Sequence, residues 1–258
     1  MDLRLAERVA LITGTASQMG MGKEIALTLA REGCHIIASD INQEGSEKTA
    51  AEIKQLGRKA VAIRADICNT ADVMKMVDEG IKYMGKIDIL VNVAGGATFG
   101  GPFVEMSEAN IDKELAINLR GAMNCTRAVL TGMLTQKYGK IVNISSFSAR
   151  TGVAGAVVYS SAKEGLIGLT KSLAKEVGQA GINVNAIAPG LVMTEFYGPG
   201  FQQLPPQMRQ NTGAAPMSPT GKMTTTKDVA NMVAFLVSDV SGNVTGQTMS
   251  VDGGQFMI

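Results

Sequence analysis

The chain has 258 residues, 45% hydrophobic and 18% charged, with 24 basic against 23 acidic side chains and a formal net charge of +1. That length holds one large domain or two small ones and is ample for a continuous core. Balanced charge argues against a nucleic-acid surface, and 30 glycines with no collagen period and only seven prolines exclude a fibrous or disordered chain.

No apolar run reaches the roughly 18–20 residues of a bilayer span. The first residues, Met1-Asp2-Leu3-Arg4-Leu5-Ala6-Glu7-Arg8, lack the apolar stretch of a secretory signal. Cys34, Cys68 and Cys125 are too scattered for a metal site or a disulfide framework, so reduced thiols in a cytoplasmic protein are expected. His35 is the single histidine and reads as structural. One histidine and no clustered cysteines leave little from which to build a zinc site or a Ser-His-Asp hydrolase.

The first strand is expected at 9–13 and the first helix at 23–32. Between them runs Thr13-Gly14-Thr15-Ala16-Ser17-Gln18-Met19-Gly20-Met21-Gly22. A glycine-rich turn between a first strand and a first helix lets the backbone approach a pyrophosphate, which the helix N-terminus then holds. A P-loop does not fit. Glu24 stands where its magnesium-binding Ser or Thr is required, and Ser17 where its first glycine belongs.

The second strand, 35–39, leads into Asp40, 18 residues beyond Gly22. An acidic side chain there accepts hydrogen bonds from the adenosine ribose hydroxyls and repels the extra phosphate of NADP. Ile41 and Asn42 follow, with no Lys or Arg to offset that repulsion, so NAD is expected in preference to NADP. The same Asp40 also reads as a cap of the next helix.

Further along, helices are expected at 43–56, 70–83, 108–134, 156–177 and 226–238, and strands at 60–65, 87–92, 140–145, 183–188 and 247–251. The strands are mostly continuous apolar runs, as in parallel strands covered on both faces. Seven strands alternating with helices predict an α/β, Rossmann-type doubly wound parallel sheet with helices on both faces, a single domain over 1–258. The stretch 194–225 carries no regular period and includes Gly198-Pro199-Gly200. It is expected to form a lid over the carboxyl ends of the strands.

Tyr159 and Lys163 lie four residues apart on a helical pattern, hence on one face. A free phenol has a pKa of ~10; a nearby ammonium favours the phenolate, and a shift of about three units takes roughly 4 kcal/mol. A lone Tyr-x-x-x-Lys also fits a solvated helix face. Ser146, at the end of a strand thirteen residues before Tyr159, adds a hydroxyl for a substrate oxygen. Asn92-Val93-Ala94-Gly95-Gly96 ends another strand, and Asn118 lies on the long helix after it.

With these motifs in this order, the chain from Arg8 to Gly254 resembles the short-chain dehydrogenase/reductase family, in its single-domain branch. The resemblance includes 3-oxoacyl-[acyl-carrier-protein] reductases and NAD-dependent secondary-alcohol dehydrogenases. It implies that Tyr159 is the general acid/base and that Lys163 lowers its pKa and holds the nicotinamide ribose. It further implies that Ser146 orients the reacting oxygen and that Asn118 anchors a water and backbone relay behind Lys163. Gly14, Gly20, Met21 and Gly22 match the pyrophosphate turn, and Asp66 with Ile67 the pair beside the adenine. Asn92, Ala94 and Gly95 match the element that supports the central sheet, while Pro189, Gly190, Val192 and Thr194 resemble the loop around the carboxamide. Val251-Asp252-Gly253-Gly254 resembles the C-terminal signature of tetrameric members, implying a homotetramer or homodimer.

Two departures stand out. Gly14 and Gly20 have five residues between them, a two-residue insertion relative to the family's turn, and Ser17 or Gln18 is expected to add contacts of its own. Val93 replaces an asparagine. The enoyl-thioester reductases of the wider family, which share an extended turn, space the pair with six intervening residues, and that position here is Leu166.

The expected activity is NAD(H)-dependent interconversion of a secondary alcohol and a ketone, in the oxidative direction and without a metal. The alternatives are a 3-oxoacyl thioester reductase and a non-catalytic dinucleotide-sensing protein. An extended-branch epimerase is disfavoured, since only 95 residues follow Lys163. Candidate substrate contacts are Gly96, Thr98, Phe99, Ser148, Arg150, Gly190, Phe196, Tyr197 and Met217. Arg150 pairs with a carboxylate or phosphate of the substrate or is a solvated surface residue. The expected partner is a small alcohol, ketone or acyl thioester, with no nucleic acid and no membrane.

Overall fold

A computed structural model describes residues 2–192, 194 and 218–257. Along the chain run β1 (Val9–Thr13), α1 (Met21–Arg31), β2 (His35–Asp40), α2 (Gln43–Gln55), β3 (Ala60–Arg64), α3 (Thr70–Met84) and β4 (Ile89–Asn92). They are followed by α4 (Glu108–Leu115), α5 (Gly121–Gln136), β5 (Gly139–Ile144), α6 (Phe147–Thr151) and α7 (Val157–Val177). β6 (Ile182–Pro189), α8 (Thr226–Val237) and β7 (Thr248–Val251) complete the described strands and α-helices.

The strands form one parallel sheet in the order β3-β2-β1-β4-β5-β6-β7. Successive side chains of a strand point to opposite faces, so β1 sends Ala10 and Ile12 one way and Val9 and Leu11 the other. Ala10 and Ile12 pack with Ile25 and Leu29 of α1 and Val229 and Val233 of α8. Val9 and Leu11 join Val73 and Met76 of α3, Val129 and Met133 of α5, and Leu173 of α7. The seven expected strands and the doubly wound topology are therefore present.

The long helix expected over 108–134 is not continuous. Between α4 and α5 the residues Ala116–Arg120 form a wider π-helical turn. The short helix α6 was not expected; it starts at Ser146, whose hydroxyl accepts from the amide of Ser148. Most of the expected lid lies outside the described residues, as do the candidate substrate residues Phe196, Tyr197 and Met217.

Cys34 and Cys125 are buried, and burial pushes each thiol up to about 12, which keeps them protonated and inert. Cys68 is only partly buried. His35 bridges the surface, facing Glu7 at 3.1 Å and accepting from the amide of Lys59. Among the described residues no cluster suits a metal, and no helix is long and apolar enough to cross a membrane.

Candidate active site

Strand order reverses between β1 and β4, and a cleft of about 930 Å3 opens at their carboxyl ends. Its floor is glycine because backbones meet there. A Cβ on Gly14 would lie 2.9 Å from the amide nitrogen of Ala94, and one on Gly22 only 2.0 Å from the carbonyl oxygen of Gly14. Helix α1 has Gly20 at its N-cap and no side-chain cap, so its first amides are left for an anion. These features fit a dinucleotide pyrophosphate. Gly22→Ala should therefore lower dinucleotide affinity by at least about tenfold or prevent folding; native affinity in a fluorescence titration would refute the close approach.

The inserted residues make a turn, with the amide of Gly20 donating to the carbonyl of Ser17 at 3.0 Å. Ser17 and Met21 line the cleft. Gln18 does not: its amide donates to the carbonyls of Ala16 and Gly45, and its oxygen accepts from Lys23. The insertion thus leans on α2 through the Gly45 carbonyl, while the same amide closes the turn onto Ala16.

Asp40, Ile41, Asp66 and Ile67 line one end of the cleft. The Asp40 carboxylate accepts from the amides of Ala16 (3.1 Å) and Asn42 (3.0 Å), and Asn42 caps α2. The capping and ligand-binding readings of Asp40 are compatible, since a carboxylate has about four acceptor sites and two are used. Lys113 is the one cation among the described residues lining this cleft.

Asn92 faces away from the cleft. Its amide donates to Asn143 (2.8 Å) and Thr126 (3.2 Å), tying β4 to β5 and α5. Ala94, Gly95, Gly96 and Thr98 continue along the cleft wall, and Thr13 holds the turn by accepting from the amides of Val93 and Ala94. The Val93 departure costs nothing visible: its side chain is buried in the core.

A second chamber of about 270 Å3 adjoins the cleft through Met21, Gly95, Gly96 and Thr194. Ser146, Ser148 and Tyr159 line it, opposite Pro189, Gly190 and Val192. The hydroxyl of Ser148 donates to that of Ser146 at 2.9 Å, leaving the Ser146 proton to point elsewhere. Sequence reasoning missed Phe147, Val153 and Ala156, which give this chamber an apolar wall. Arg150 is absent from it; its guanidinium donates to the hydroxyl of Ser250 at 2.8 Å and links α6 to β7. Phe99 lines a smaller cavity beside Tyr159.

Lys163 is 3% exposed, and its ammonium donates to the carbonyl of Ile144 at 2.9 Å. It lies 5.7 Å from the centre of the Tyr159 ring. Burial pulls its pKa down from 10.5 to about 8, while the carboxylate of Glu114 acts to hold it up. The ammonium is charged at neutral pH and placed to favour a phenolate. Asn118, on the π-helical turn, is 1% exposed. Its oxygen accepts from the amide of Gly96 at 2.8 Å, and its nitrogen donates to the carbonyls of Gly96 and Glu114. A Cβ on Gly95 would meet both Asn118 and Lys163, which explains a glycine at that point.

Glu114 was also missed. It lies one helical turn before Asn118, on a face whose burial the sequence does not mark.

Comparison with known proteins agrees with this geometry. The family described as enoyl-(acyl carrier protein) reductase matches residues 14–255. The (2S)-[(R)-hydroxy(phenyl)methyl]succinyl-CoA dehydrogenase subunit BbsD of Thauera aromatica is 44% identical over 251 residues, covering 97% of each chain. The 3-oxoacyl-[acyl-carrier-protein] reductase FabG of Thermotoga maritima is 37% identical over 252 residues, 98% of this chain and 99% of that one. Among solved structures, a putative short-chain alcohol dehydrogenase of Sinorhizobium meliloti superposes with a TM-score of 0.90 at 32% identity, covering 99% of this chain and 98% of that one. Levodione reductase also gives 0.90, at 33% identity and 98% coverage of both chains. Sequence match, sheet order and cleft agree, so the chain belongs to the short-chain dehydrogenase/reductase family, as an oxidoreductase acting on CH–OH groups with NAD or NADP.

Proposed function

We propose that the protein is an NAD(H)-dependent dehydrogenase that interconverts a secondary alcohol and a ketone on an acyl thioester. The observation that carries the proposal is the buried Lys163 ammonium 5.7 Å from the centre of the Tyr159 ring, with Tyr159 and Ser146 lining one chamber. A bound nicotinamide supplies the two-electron acceptor. Tyr159, as phenolate, takes the proton of the substrate hydroxyl, and Lys163 holds the phenolate charge. Ser146 donates to the substrate oxygen as charge develops on it. Asn118 fixes Gly96 and the backbone behind Lys163. The apolar wall of Phe147, Val153 and Ala156 excludes water from the reacting carbon.

The thioester is supported by two relatives named for acyl thioesters, a hydroxyacyl-CoA dehydrogenase subunit and a 3-oxoacyl carrier-protein reductase. Leu166 is buried on α7 and cannot supply the lysine that enoyl reduction would use, so reduction of a carbon–carbon double bond is not proposed. NAD is supported by Asp40, a carboxylate lining the cleft and followed in sequence by Ile41 and Asn42 rather than by a lysine or arginine.

The test is NADH formation at 340 nm with 3-hydroxybutyryl-CoA, against free 3-hydroxybutyrate and cyclohexanol, each with NAD and NADP. Turnover should require the thioester and favour NAD by about 10²-fold or more, since a 2′-phosphate beside a carboxylate costs several kcal/mol. Equal use of NADP would overturn the role of Asp40. Turnover of the free alcohols alone would overturn the thioester.

A further inference from the structure

We infer that Glu114 is a positioning residue of this site: its carboxylate pins the 96–99 segment and Asn118, and sets the charge balance around the Tyr159–Lys163 pair. The inference rests on the proposed roles of Tyr159 and Lys163.

Glu114 is 1% exposed, in the last turn of α4. Burying a carboxylate is costly unless hydrogen bonds and a charge compensate it, and both are present. One oxygen accepts from the hydroxyl of Thr98 (2.7 Å), the amide of Phe99 (3.1 Å) and the amide of Thr98. The other lies 3.5 Å from the side-chain nitrogen of Asn118. Glu114 and Asn118 therefore clamp one segment from the same side, Glu114 through Thr98 and Phe99 and Asn118 through Gly96. Gly96 and Ala97 of that segment line both the cleft and the chamber, and Thr98 lines the cleft.

The compensating charge is Lys163, next to Asn118 across Gly95. Glu114 also lines the small cavity that reaches Tyr159. The ionisable groups facing Glu114 from α7 are Lys163 and Tyr159. The 94–99 segment (Ala94 to Phe99) and the end of β5 (Ile144, Ser145, Ser146) contribute none, and Lys113, its neighbour on α4, faces the cleft.

An anion beside a coupled pair stabilises the more protonated forms of that pair, whichever member carries the proton. Removing the charge therefore lowers both of the pair's apparent pKa values. A residue that only filled space would change stability or KM and leave the pH limbs where they were.

The experiment is the pH dependence of kcat/KM with 3-hydroxybutyryl-CoA and NAD for native protein, Glu114→Gln, Glu114→Asp and Tyr159→Phe, with unfolding temperatures measured alongside. Glu114→Gln keeps an acceptor for the amides of Thr98 and Phe99 and should move both limbs to lower pH by about half a unit or more. Unmoved limbs in a folded Glu114→Gln protein overturn the inference. Glu114→Asp keeps the charge but shortens the reach; it should hold the limbs in place while raising KM several-fold. If the glutamine variant does not fold, the aspartate variant decides: native KM, or limbs displaced downwards, overturns the inference. Near-native turnover in Tyr159→Phe would instead sink the proposed mechanism itself, while an inactive Tyr159→Phe with unshifted Glu114→Gln limbs sinks only the role of Glu114.

Discussion

Tyr159→Phe should lower kcat by about 10²–10⁴-fold, the usual contribution of a positioned proton-transfer group. The magnitude follows from what the substitution leaves in place. Phenylalanine keeps the ring, so the wall shared with Ser146 and Gly190 retains its shape. The contact with the Lys163 ammonium, 5.7 Å from the ring centre, is also retained. Only the hydroxyl is lost. Gly14, Gly20, Gly22 and Asp40, the residues proposed to hold the dinucleotide, line the neighbouring cleft and are untouched, so NADH affinity should stay close to native. Steady-state turnover together with NADH fluorescence separates the two effects. Near-normal turnover would remove Tyr159 from the chemistry, and a parallel collapse of NADH binding would point to cofactor placement.

The parts of the molecule legible in the sequence are those where one physical requirement acts on consecutive residues. Parallel strands buried on both faces must be apolar throughout, and 9–13 and 35–39 are bounded in the structure within one residue of expectation. The glycines at 14 and 22 were legible because no other residue tolerates such backbone approach. What was not legible depends on partners distant in the chain. The 108–134 stretch keeps a helical period, yet a widened turn at Ala116–Arg120 interrupts it and carries Asn118 inward. Arg150 had the right position for an anionic substrate, but Ser250, a hundred residues on, engages it. Gln18 sits within the phosphate turn in sequence, and the Gly45 carbonyl draws it onto α2. Glu114 shows the limit most clearly. A glutamate in a charged helix such as Glu108–Leu115 reads as solvated, and only the folded 96–99 segment, with donors at Thr98 and Phe99, reveals why it is buried.

Lys163→Met should lower turnover by about 10²–10⁴-fold, comparable with loss of Tyr159, yet stabilise the fold at neutral pH. In the folded chain burial brings the lysine down from 10.5 to about 8. An unfolded chain keeps this proton up to about pH 10. Between those values the unfolded state binds more protons, so the contribution of Lys163 to stability rises with pH from about 8 to about 10. Below pH 8 both states are charged and the full cost of burying the ammonium is present, on the order of 3 kcal/mol. Methionine matches the length of the lysine stem without the charge. It gives up the hydrogen bond to Ile144, a loss of about 1 kcal/mol, so the net gain at pH 7 should be about 2 kcal/mol. Cys34, Cys125 and Tyr138 are all pushed up by burial and act in the opposite sense above pH 9, but they are common to both proteins and cancel in the difference. Urea unfolding of native and variant protein at pH 7 and pH 10 reads this directly. The variant should be the more stable at pH 7, with its advantage shrinking towards pH 10. A variant less stable at pH 7, or an advantage independent of pH, would mean that the buried ammonium costs the fold nothing, and the trade of stability for a charged group beneath Tyr159 would be wrong.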